Sequence, residues 1–209
     1  MDIIAHRGFW MKANEQNTVV AFERALAEGF GIETDLRDYD GEIVISHDIP
    51  SAQCLSLTSF LKLCQKKPNI RLALNIKSDG LQILINKIKI HNPHFYFDMS
   101  VPDMLGYEKN NLDFYSRYSN IEATPSLYKE CKGIWLDNFI DGNLDVLKMT
   151  TFLNDNKNVV LVSPELHKFN KDHYWKELLT YINNNPQHED KLSICTDYPI
   201  DARTYFNAK

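Results

Sequence analysis

The chain has 209 residues, 44% of them hydrophobic, and a formal net charge of −5. That composition supports one substantial core, and the acidic balance with thinly spread lysines excludes the basic face of a nucleic-acid binder. No apolar run approaches the roughly 18–20 residues of a membrane span, and the first residues lack the charged and apolar regions of a secretory leader. Cys54, Cys64, Cys131 and Cys195 have neither metal-type nor redox-type spacing and read as reduced thiols of a cytoplasmic protein.

In chain order, the first β-rich run is Asp2–Gly8, which ends in His6-Arg7-Gly8. A helix over Thr18–Glu28 follows, with Val19, Phe22, Ala25 and Leu26 on one stripe and Gly29 as its stop. Strand Gly31–Arg37 carries Glu33 and Asp35. The turn signal Asp40-Gly41 then folds back a short extra strand, Glu42–His47. Beyond it the pattern predicts a helix at Leu57–Leu63, a strand at Arg71–Lys77, a helix at Leu81–Ile90 and strands at Phe95–Ser100, Phe114–Ser119 and Gly133–Phe139. A helix at Leu144–Leu153, a strand at Asn158–Glu165, a helix at Tyr174–Ile182 and a strand at Leu192–Pro199 complete the series. Runs such as Val159-Val160-Leu161-Val162 are continuously apolar, as parallel strands covered on both faces require. Eight strands alternating with helices predict a compact (β/α)8 TIM barrel, one domain over residues 1–209, with a small β-hairpin insertion after strand 2. A doubly wound open sheet is the alternative.

The chemistry concentrates in the first fifty residues. Glu33 and Asp35 are two apart on a strand, so both side chains share one face. Paired carboxylates repel and are costly to desolvate, so the pair calls for a cation, and hard oxygen ligands favour Mg²⁺ or Ca²⁺. His6 stands at a strand end, with a side chain suited to proton transfer near neutrality. Arg7 offers a permanently charged fork for a phosphate, and Gly8 allows close backbone approach. His47-Asp48 closes the extra strand. Taken singly, each of these has a bland reading as a solvated strand end or a hydrogen-bonded structural residue.

Together, Ile4-Ala5-His6-Arg7-Gly8, Asn17-Thr18 with Ala21-Phe22, Gly31-Ile32-Glu33-Thr34-Asp35, Asp40-Gly41 and His47-Asp48 resemble the glycerophosphodiester phosphodiesterase family in order, spacing and strand context. Further along, the resemblance is carried by Leu74-Asn75-Ile76-Lys77. It implies a barrel that hydrolyses a small-molecule phosphodiester with a divalent cation. His6 and His47 then correspond to the acid/base pair, Arg7 to a phosphate contact, and Glu33, Asp35 and Asn75 to the metal positions. In that family a free hydroxyl of the substrate commonly helps to expel the other alcohol. Lys77 shares a face with Asn75 and Arg117 falls at a later strand end, so both are expected phosphate contacts. Two departures stand out. Gln16 occupies a place usually held by Glu, with Glu15 one residue earlier, and Asn75 stands where a third metal carboxylate is usual. Asp98 and Asp137, each at a strand end, are alternative sources of that charge. The departures also motivate a second expectation, a catalytically silent barrel that binds a phosphorylated ligand.

Overall fold

The computed structural model describes residues 1–207. The chain divides into two compact units, Ala5–Phe114 and Met1–Ile4 with Tyr115–Lys209. The unit Ala5–Phe114 contains the end of β1 (Asp2–Ala5), then β2 (Gly31–Tyr39), β3 (Glu42–Ile45), β4 (Leu72–Ile76) and β5 (His94–Phe97), in strand order β5-β4-β2-β1 with β3 paired to β2. Its helices are α1 (Val19–Glu28), α2 (Leu57–Cys64), α3 (Gln82–Ile85) and α4 (Val101–Lys109). β2, β4 and β5 are parallel, with Asp35 opposite Asn75 and Asn75 opposite Phe97. β3 runs antiparallel to β2, Leu36 facing Ile45. Asp40 and Gly41 turn that hairpin at φ 50° and 79°, the left-handed pair that a two-residue turn with the strands' own twist requires.

The other unit contains β6 (Tyr115–Tyr118), β7 (Gly133–Leu136), β8 (Asn158–Val162) and β9 (Leu192–Thr196), all parallel, in order β1-β9-β8-β7-β6. Helices α5 (Val146–Asn154), α6 (Asp172–Asn184) and α7 (Pro199–Asn207) accompany them. Eight parallel strands with α-helices after all but β6 form a (β/α)8 barrel, with β3 as the expected insertion after the second strand.

The apolar stripes do the packing. Ala21, Phe22, Ala25 and Leu26 of α1 are buried, and Phe22 meets Phe60 of α2 edge-on with ring centroids 4.7 Å apart. Each such fully buried ring stabilises the fold by about 2–3 kcal/mol. Gly29, left-handed at φ 80°, ends α1 as expected. Three elements differ from the sequence reading. The helix expected over 81–90 shortens to Gln82–Ile85, which lacks a side-chain cap and runs into β-branched Ile88 and Ile90. Helices α4 and α7 are additional. In α4, Val101 and Leu105 are exposed, which blurs the apolar stripe, while Ser100 caps its start by accepting from the Asp103 N–H at 3.3 Å. In α7 only Pro199, Ala202 and Phe206 are buried, too thin a pattern to read.

Candidate active site

The unit Ala5–Phe114 gathers four of the expected site residues, His6, Arg7, Asn75 and Lys77, around one buried carboxylate pair, Glu33 and Asp35. Glu33 and Asp35, the third and fifth residues of β2, are each 1% exposed. Directly after β1, Arg7 (φ 56°) and Gly8 (φ 83°) both take left-handed backbone. This bend turns the Arg7 N–H onto Glu33 Oε2 at 3.1 Å. It also brings Gly8 so near α1 that a Cβ there would lie 2.9 Å from the backbone and Cβ of Ala21. No other residue fits that approach. His6 Nε2 lies 3.9 Å from Glu33 Oε2, and the His6 carbonyl accepts from Trp10 Nε1 at 3.1 Å.

Asp35 is the more heavily engaged of the two. Asn17 Nδ2 donates to its Oδ2 at 2.8 Å, Arg7 Nε stands 3.2 Å from the same oxygen, and Lys77 Nζ stands 3.3 Å from Oδ1. The Arg7 contact is an ion pair without hydrogen-bond alignment. Asn17 is in turn fixed by Thr34, whose hydroxyl donates to Asn17 Oδ1 at 2.8 Å. The Asn-Thr pair thus has two tasks: Thr18 accepts from the Ala21 N–H to cap α1, and Asn17, held at φ 58°, clamps Asp35. The clamp is the feature that sequence reasoning passed over. Its signal was an asparagine immediately before a helix cap, a residue type that tolerates left-handed backbone.

The electrostatics follow from burial. Loss of water pushes the Glu33 carboxyl up to about 7, and the neighbouring Asp35 charge pushes the same way, against the pull of His6, Lys77 and Arg7. A cation placed between the two carboxylates would reverse both effects. Asn75, 6% exposed, fits that demand, because its Oδ1 is buried with no hydrogen-bond partner while its Nδ2 donates to Asp98 Oδ2 at 3.1 Å. An orphaned amide oxygen opposite Asp35 is a hard donor suited to Mg²⁺ or Ca²⁺. Among the described residues, no group of three His, Cys, Asp or Glu side chains is gathered for a metal.

Gln16, not Glu15, faces the site: Arg7 Nη1 donates to Gln16 Oε1 at 3.1 Å. Glu15 instead pairs with Arg24, which holds its carboxyl down at about 2. A cavity of about 690 Å³ opens beside Arg7 and His47, walled by Gln16, Val19, Ile45 and Leu55. The His47 side chain is 44% exposed and its Nδ1 is 2.8 Å from Asp48 Oδ1. That contact holds the Asp48 carboxyl below its ordinary value and orients the ring with Nε2 directed away from Asp48. Arg117 belongs to the other unit, where Asp137 binds its Nη1 at 3.0 Å and Glu122 lies 3.5 Å from its Nε. Asp137 is there also bound by His167 Nε2 at 2.7 Å, and Glu165 accepts from Ser163, Thr196 and the Asp197 N–H.

No family model matches the sequence, and no curated protein matches it. Solved structures do match, over nearly the whole chain. A glycerophosphodiester phosphodiesterase from Parabacteroides distasonis has a TM-score of 0.68 at 18% identity, covering 99% of this chain and 97% of that one. An Oleispira antarctica phosphodiesterase, in complex with the product sn-glycerol-3-phosphate, has a TM-score of 0.70 at 16% identity, covering 100% and 97%. A Ca²⁺-dependent phosphatidylinositol-specific phospholipase C from Streptomyces antibioticus has a TM-score of 0.58 at 9% identity, covering 98% and 95%. The chain shares their fold. At these identities the chemistry has to be argued from the residues themselves.

Proposed function

We propose that this chain is a metal-dependent phosphodiester hydrolase of the glycerophosphodiester type, releasing an alcohol and a phosphomonoester from a small-molecule substrate. The observation that carries this reading is the buried Glu33–Asp35 pair, set among His6, Arg7, Lys77 and the orphaned Asn75 oxygen. Such a pair is unfavourable without a cation, and the side chains around it are those that phosphodiester cleavage uses. Matches to phosphodiesterases, one holding sn-glycerol-3-phosphate, support the same substrate class.

Glu33, Asp35 and Asn75 are the residues that would hold Mg²⁺ or Ca²⁺. A bound divalent cation supplies charge neutralisation at the phosphoryl oxygens. Arg7 presents its guanidinium to the substrate phosphate from a position fixed by Gln16 and Asp35, and Lys77 adds a second positive charge from just beyond β4. His6 and His47 exchange protons with the attacking and leaving oxygens, His47 with its ring oriented by Asp48. The cavity beside Arg7 and His47 has room for one of the substrate's alcohol portions. The four free cysteines support a cytoplasmic assignment. Among the described residues no helix is long and apolar enough to cross a membrane.

One observation favours a second reading, a silent barrel that binds a phosphorylated ligand. Asp35 is already neutralised by two cations, and Asn75 brings no charge. Purified protein is to be incubated with a panel of glycerophosphodiesters in Mg²⁺ or Ca²⁺, with ligand binding measured by calorimetry for wild type and His6→Ala. Turnover lost in the variant with binding retained supports the enzyme; binding without turnover in the wild type supports the silent barrel.

A further inference from the structure

The Asn75 amide is oriented by a neighbour that the sequence motif does not include. Asp98 immediately follows β5, one residue beyond Phe97, the strand partner of Asn75. Its Oδ2 accepts from Asn75 Nδ2 at 3.1 Å. With the nitrogen end committed, the oxygen end of the same planar amide is fixed too, and that oxygen is buried and unpartnered. A buried carbonyl left unpaired is unfavourable, so an amide turned this way keeps a free acceptor lone pair for a ligand. Asp98 also sits at φ 66°, a left-handed conformation that most residues avoid.

The charges make a separate argument. Arg7 and Lys77 both pair with Asp35, so the formal charges of Glu33, Asp35, Arg7 and Lys77 sum to zero. Asp98 adds a further negative charge in hydrogen-bond contact with Asn75. With it, a dication and a monoanionic phosphodiester together bring the group to neutrality.

We propose that Asp98 is the positioning residue of the cation site, turning the Asn75 oxygen toward Glu33 and Asp35 and restoring the charge that asparagine lacks. The inference rests on the cation-site reading of Glu33, Asp35 and Asn75. It makes the divided pair Asn75–Asp98, one residue giving the oxygen and the other the charge, equivalent to a single carboxylate at position 75.

Calorimetric titration of the full chain with Ca²⁺ and with Mg²⁺ alone tests this, for the wild type, Asp98→Asn and the exchange Asn75→Asp/Asp98→Asn. Asparagine accepts left-handed backbone as readily as aspartate, so all three are expected to fold, and thermal melts check it. Asp98→Asn, whose amide oxygen can still accept from Asn75 Nδ2 but carries no charge, is expected to weaken cation affinity at least about tenfold, the size of loss seen when a group behind a metal ligand is altered. The exchange, which keeps both the charge and the hydrogen bond, is expected to restore affinity to within about threefold of wild type on the same principle. Wild-type affinity in folded Asp98→Asn overturns the proposal, as does a folded exchange variant with no recovery, or a wild type that binds neither cation. A wild type that binds the cation with this dependence on Asp98 yet cleaves no phosphodiester upholds the proposal and sinks the hydrolase reading, so the two failures are separable.

Discussion

Replacing Glu33 by glutamine is expected to stabilise the cation-free protein while abolishing its activity, with the stabilisation growing as pH rises. Glutamine imitates the protonated carboxyl in shape and can still accept from the Arg7 N–H that now meets Glu33 Oε2 at 3.1 Å. It removes a buried charge whose carboxyl is raised from an ordinary 4.5 to about 7 by lost hydration first and by Asp35 second. A group raised in the folded state gives stability that is fully present below its unfolded value and is lost as pH climbs through its folded value. Wild type and variant should therefore be nearly equal near pH 4.5 and diverge up to about pH 7. The plateau is bounded by about 3.5 kcal/mol, from roughly 1.4 kcal/mol for each tenfold change in proton affinity. Because Asp35 shares the repulsion, about 1–3 kcal/mol is expected, or roughly 2–10 °C in Tm for a chain of this size. The assay is urea or thermal unfolding in a chelating buffer across pH 4.5 to 8, beside phosphodiester turnover. A variant less stable than wild type at pH 8, or a difference that does not vary with pH, refutes the reasoning.

Other substitutions report on neighbouring parts of the site. Asn17→Ala removes a donor from buried Asp35 and the acceptor of the Thr34 hydroxyl; a loss of about 3 kcal/mol is expected in urea unfolding, and less than about 1 kcal/mol would show that the clamp is not needed. Gly8→Ala forces a methyl to 2.9 Å from Ala21 at φ 83°, so a destabilisation of about 2 kcal/mol or more, on the order of other strained backbones, should appear as a lowered Tm. His47→Gln changes a half-exposed side chain, so unfolding should be unaffected while kcat falls about 10²–10⁴-fold; unchanged kcat with the fold intact removes His47 from the chemistry.

Much of the barrel is legible in the sequence because its strands are continuously apolar and its turns carry their own signals. Asp40-Gly41 specifies the β2–β3 hairpin through two left-handed residues, and Thr18 and Gly29 mark both ends of α1. Helices α4 and α7 were hidden for a different reason. They bury few side chains, so their patterns carry little of the periodicity on which a sequence reading depends. Within the site, spacing put Glu33 and Asp35 on one face, and the structure gathers His6, Arg7, Asn75 and Lys77 about them. Asp98 and Gln16 stood out in the sequence and Asn17 lay within its motif, but their partners were not legible, because these pairings join residues 9 to 23 apart in the chain. A sequence pattern also could not say whether Glu15 or Gln16 faces Arg7; the ion pair with Arg24 draws Glu15 away.

The cluster around Glu33 and Asp35 is proposed to cleave phosphodiesters with the help of a divalent cation. Phosphorus NMR of a glycerophosphodiester incubated with the protein follows that reaction directly. Conversion of the diester resonance to a phosphomonoester is expected in Mg²⁺ or Ca²⁺, with arrest by a chelator and no conversion by His6→Ala. An unchanged diester resonance across a broad substrate panel with folded, cation-supplied protein, or conversion that His6→Ala leaves intact, contradicts it.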